Sequence, residues 1–134
     1  MRCLAIVLFA AFVSAPLFAQ DSQQFRACDE KSKTQADLND CANQEAKRAD
    51  AALNNVYSQL LSKAAGQPEA VAKIKAAERA WIAYRDAYID AMYPAKDKQA
   101  EYGSIYPMEA GLLVAKLTQQ QVAALRDLLH QYGN

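Results

Sequence analysis

Between Thr34 and Tyr93 the chain contains one glycine and one proline, and they stand together as Gly66-Gln67-Pro68. Upstream of that tripeptide, apolar or small residues recur at Leu38, Cys41, Ala42, Ala49, Leu53, Val56, Leu60 and Ala64. Steps of three and four put them on one stripe of a helix. Thr34 is a capping residue, and Asp37 three positions later can answer it as a variant of the capping box. Gly66 ends this helix, and Pro68 stands where a first helical residue has no backbone donor to lose. A second helix then runs to about Tyr93, with Val71, Ile74, Trp81, Tyr84, Tyr88, Ile89 and Met92 spaced as a broad inward face, until Pro94 stops it. Two long helices across a tight turn predict an antiparallel hairpin. A helix of about 28 residues is about 42 Å long, so the expected shape is elongated.

After the hairpin, PAKDKQAEYGSIYP reads as an ordered loop, because Tyr102, Ile105 and Tyr106 are costly to leave in water. Helical spacing resumes at Met108 and continues through Leu112, Leu113, Leu117, Leu125, Leu128 and Leu129 to Tyr132. Thr118 can cap a second piece, which leaves open one kinked helix or two. No strand alternation interrupts the pattern. The expected fold is all-α: an elongated antiparallel helical hairpin, a packed C-terminal helix and an N-terminal segment tethered by a disulfide.

The opening residues, MRCLAIVLFAAFVSAPLFAQ, place Arg2 before an apolar run and end in small residues. That is the pattern of a cleaved secretory signal. An apolar run of roughly 11 residues falls short of the roughly 20 that span a bilayer. Residues 1–19 are therefore predicted to be a leader and 20–134 a helical domain with no stable membrane insertion after cleavage. The expected location is periplasmic or secreted. Losing Arg2 from the 15 basic and 15 acidic residues leaves the domain almost neutral, with no electrostatic case for nucleic acid. Cys28 and Cys41 remain. In an oxidising compartment such a pair is most simply a disulfide, worth roughly 3 kcal/mol for a loop of about 14 residues. Two thiols and one distant histidine, His130, make a poor metal site, and neither a metal nor a cofactor is expected.

Catalytic patterns are lacking in the sequence. His130 lies near the chain end without a paired nucleophile, and no glycine-rich phosphate loop is present. The domain reads as non-enzymatic. More informative are polar residues lying on otherwise apolar stripes. Asp50, Asn54 and Tyr57 share a face of the first long helix, as Glu78, Trp81 and Arg85 do on the second. At comparable distances from the turn, the two groups can meet. The expectation is a charge-assisted, bidentate contact from Arg85 to Asp50, roofed by Trp81 and Tyr57. Such a network would fix helix register, or contact a partner where it reaches a groove.

These residues also carry a resemblance. CANQEAKRADAALNNVYSQLL, AERAWIAYRDA, YGSIYPM and LTQQQVAALRDLL, in that order, resemble the lysozyme inhibitor LprI-like N-terminal domain family from about Phe25 to Leu129. The family pattern falls on Cys41, Asp50, Leu53-Asn54, Tyr57, Trp81, Arg85-Asp86, Gly103-Ser104 and Leu117-Thr118. Two departures stand out. Ile89 and Leu112 occupy the places where members commonly carry a second cysteine pair, and Gln121 stands where an arginine often follows Leu-Thr.

The resemblance implies an exported all-helical binding domain with a protein partner, lysozyme. A lysozyme inhibitor plugs a cleft containing two carboxylates with a loop rich in donors. The segment Pro94 to Pro107 is the candidate, with Lys96, Lys98, Tyr102, Gly103, Ser104 and Tyr106. An alternative role is a structural or accessory module of an envelope complex, docking through the apolar side of the C-terminal helix.

Overall fold

A computed structural model describes residues 22–133. The leader reading of residues 1–19 lies outside the described residues. Ser22 caps a short helix, α1 (Gln23–Asp29), by accepting the Phe25 N–H on its hydroxyl at 3.0 Å. Thr34 and Asp37 form the expected capping box, opening α2 (Gln35–Lys63). After the Gly66 turn, Pro68 starts α3 (Pro68–Met92) as its first residue. The segment read as a loop is partly helical. Asp97 caps a short α4 (Lys98–Tyr102), a single 3₁₀ turn follows at Gly103–Ile105, and α5 (Tyr106–Gly133) completes the chain. The described residues contain helices and no strand, as expected.

The hairpin of α2 and α3 stands, and its turn end holds the main core. Leu53, Val56, Leu60, Ala64, Ile74, Val122 and Leu125 are buried there, with Trp81, Tyr57 and Tyr132 packed against them. The longest interface in the molecule, however, is between α2 and α5. Small residues make it. A methyl group placed on Gly111 would meet the Ala42 Cβ at 3.3 Å, and Ala42, Ala49 and Ala115 are all buried. Gly111 lies against Ala42 and the Val122–Leu125 segment against Leu53–Leu60, so α5 runs parallel to α2. Helix α5 is continuous through Thr118. That residue caps nothing: it is fully buried within the helix, and its hydroxyl finds no hydrogen-bond partner among the described residues.

A smaller core closes the opposite end, where Phe25, Cys41 and Ala42 are buried against Cys28, Met108 and Leu112. The Cys28–Cys41 disulfide, with Cα atoms 5.7 Å apart, ties α1 to α2 as expected. Leu112 belongs to this cluster.

Helix α3 departs from its predicted face. Only Ile74 and Glu78 are buried along it, while Tyr84 is 56 %, Met92 53 % and Tyr88 39 % exposed. The cause is geometric. Because α2 and α5 already share a close seam, α3 touches them along one line running Ile74, Glu78, Trp81 and Arg85. Steps of four, three and four keep that line narrow. Tyr84 and Tyr88 stand off it.

Candidate functional site

The two polar clusters predicted from spacing do face each other, on the side where α3 meets α2. Their side chains line a groove of about 410 Å³ that includes Asp50, Asn54 and Tyr57 from α2 and Glu78, Trp81 and Arg85 from α3. Lys75, Arg79 and Ile82 extend its α3 wall. The groove exists because side chains, rather than close backbone approach, hold α3 here. Trp81 is half-buried, with its ring packed on the main core, and the Arg85 guanidinium lies 5.2 Å above that ring.

The predicted lock is not formed as expected. Arg85 Nη1 and Asp50 Oδ1 are 3.8 Å apart, an ion pair at the edge of contact and too long for a hydrogen bond. The guanidinium fork is taken instead by the adjacent Asp86, with Nε and Nη2 at 3.0 and 2.9 Å from Oδ1. Asp50 is half-exposed and Asn54 exposed, so the carboxylate has no need of a bidentate partner to offset burial. An ion pair so wet adds little, about 0–1 kcal/mol. Arg85 thus remains beside the groove, stacked on an indole and facing a carboxylate across it.

Glu78 turns the other way. It is 7 % exposed and accepts a 3.0 Å hydrogen bond from Gln121 Nε2 on α5. Gln121 therefore answers the buried acid of α3.

The predicted binding loop is folded on itself. Tyr102 and Tyr106 pack edge-on against Tyr93, with ring centroids 5.3 and 5.0 Å away. Burial first, and the neighbouring Glu109 carboxylate next, raise the Tyr93 phenol above its usual value. The Tyr102 hydroxyl accepts the Ala95 N–H at 3.2 Å, and Lys98 donates to Asp90 at 3.1 Å. Gly103 adopts φ 71 and ψ −163, a region open essentially to glycine alone. The Ser104 carbonyl accepts from Asn39 at 3.3 Å, fastening the turn to α2. Of the six candidate residues, Lys96 and Ser104 are the exposed ones. Nor does the apolar side of the C-terminal helix offer a docking surface: Ala115, Leu117, Val122 and Leu125 are buried.

Sequence reasoning passed over Glu45, although its position between Ala42 and Ala49 puts it on the buried stripe. It is 4 % exposed. Ser22 donates to it at 2.6 Å, Arg48 at 2.5 and 3.2 Å, and Gln119 at 3.1 Å, so one carboxylate ties α1, α2 and α5 together. Burial pushes its pKa up. The Ser22 hydroxyl, the Arg48 guanidinium and the Gln119 amide outweigh that and hold it below the usual range. Among the described residues no group of His, Cys, Asp and Glu is arranged to hold a metal ion.

Comparison with known proteins gives two positive findings. Residues 28–125 match the family described as Lysozyme inhibitor LprI. Uncharacterized protein R02472 of Rhizobium meliloti (strain 1021) is 34 % identical over 115 residues, covering 78 % of this chain and 80 % of its own length. No solved structure matches.

Proposed function

The chain belongs to the lysozyme inhibitor LprI family, and on that footing we propose that it is an exported, non-enzymatic domain that binds and inhibits lysozyme. The observation that carries the reading is the open groove between α2 and α3. A core fastening would cover its charges. Here Asp50 and Asn54 reach solvent, while Lys75, Arg79 and Arg85 stand on the α3 wall beside the Trp81 indole. A cationic edge next to an aromatic ring is suited to a partner surface lined by carboxylates, because guanidinium groups donate in a fixed fork and aromatic rings add area at low entropic expense. Exposed Lys96 and Ser104 lie outside this groove and make a secondary contact at most.

Export is supported by the leader pattern and by the Cys28–Cys41 disulfide, a bond that persists in oxidising compartments. No helix among the described residues is long and apolar enough to cross a membrane. The test is a lysozyme lysis assay with purified protein. Inhibition that saturates at a stoichiometric ratio is expected. Undiminished lysis at micromolar excess of the protein would remove lysozyme as the partner.

A further inference from the structure

Arg85 stands between two carboxylates, and each meets a different edge of its guanidinium. Asp86, the next residue on α3, accepts from Nε at 3.0 Å, and Nη2 lies 2.9 Å from the same oxygen. Asp50, across the groove on α2, faces Nη1 at 3.8 Å, beyond hydrogen-bond reach. The guanidinium carbon lies 5.2 Å from the centre of the Trp81 ring. Attraction to an aromatic face holds a cation near the ring but leaves it free to turn above it. Trp81 therefore fixes where the group sits, and Asp86 fixes which way it points. The Nη1 end is turned toward the groove and makes no hydrogen bond among the described residues.

We propose that these two carboxylates act on lysozyme binding with opposite signs. Asp86 is a positioning residue that presents the Nη1 end of Arg85 to a carboxylate of the partner, and Asp50 competes with that carboxylate for the same donor. The inference rests on the groove being the surface that meets lysozyme. Charge alone would give both residues one sign. Their side chains are 59 % and 51 % exposed, and each puts a negative charge beside a site suited to acidic groups. Through the field alone, removing either would strengthen binding. Geometry separates them. Without Asp86 the guanidinium turns to Asp50, the other carboxylate within ion-pair distance, and Nη1 is filled from within the chain. Without Asp50 the competitor is gone, while Asp86 still holds the Nε edge.

Titration of lysozyme at low ionic strength, where exposed charges are least screened, tests the signs. Asp86→Ala should weaken binding about fivefold and Asp50→Ala should tighten it about threefold, modest effects because both pairs are wet. The melting temperature should stay unchanged in each. In an Arg85→Ala background Asp86→Ala should weaken binding no further, since Asp86 acts through that side chain. A readout free of lysozyme is the Arg85 Nε–H signal in NMR, which should lose protection from solvent exchange in Asp86→Ala and keep it in Asp50→Ala. Tighter binding by Asp86→Ala, weaker binding by Asp50→Ala, or a full Asp86 effect without Arg85 would overturn the proposal. So would an Nε–H signal indifferent to Asp86→Ala. Wild-type protein that does not bind lysozyme, with the Nε–H signal responding as expected, would instead be a failure of the functional reading beneath it.

Discussion

The two sides of α2 are built on opposite rules. Toward α5 it presents buried small residues, Ala42 so close to Gly111 that a methyl group there would crowd it, and this interface is the longest in the molecule. Toward α3 it meets large side chains, the half-buried Trp81 indole of α3 among them, across an ion pair stretched to 3.8 Å, and a groove stays open. The seam supplies stability because burial there is nearly complete. The α3 side is held at few points and leaves its chemistry accessible, which is what recognition requires. Stability and recognition are thus divided between two faces of one helix.

The largest expected loss is at Leu60, fully buried where the core is common to α2, α3 and α5. Leu60→Ala should cost about 3 kcal/mol, read by denaturant unfolding, through lost transfer energy and the cavity left behind. A matched pair divides the two sides more sharply. Ala42→Leu forces extra atoms into the seam against Gly111 and should cost about 2 kcal/mol. Ala72→Leu, on the exposed side of α3, should stay within about 0.5 kcal/mol. Equal effects from the two would erase the distinction.

A smaller effect is expected where α3 is tied down. Gln121→Leu removes the partner of buried Glu78 and should cost about 1 kcal/mol. Amide exchange should then quicken in α3 more than in α2 or α5. Smallest is the acid response of Glu45. Its folded pKa lies below the ordinary 4.5, so its contribution is complete above that pH and is lost as pH falls through the lower folded value. Melting temperature should decline below about pH 4.5, and Glu45→Gln should flatten that decline.

Much of the scaffold was legible in the sequence. The Thr34–Asp37 box, the Gly66–Pro68 turn and the cysteine pair are local signals with local causes, and each is in place. The orientation of α3 was not legible. Ile74 and Trp81 lie on one apolar line and Tyr84 and Tyr88 on another, and periodicity cannot say which line the neighbours cover. Glu45 was hidden for a related reason: a carboxylate on a buried stripe reads as surface until its donors are seen converging, Arg48 from its own helix, Ser22 from the start of α1 and Gln119 from α5. Thr118 and the helical α4 turn on context too, since a capping residue caps only where the helix ends. At the candidate site, spacing brought the right residues together, but the reach of Arg85 depended on Asp86, one residue away, outcompeting Asp50.

The division of labour is tested most directly by Arg85→Ala, measured for lysozyme affinity and melting temperature on the same preparation. The groove reading requires affinity to fall at least about tenfold, a loss near 1.4 kcal/mol, while the melting temperature moves by no more than a degree or two. A marked drop in melting temperature with affinity unchanged would mean that Arg85 holds the fold together and that the partner binds elsewhere.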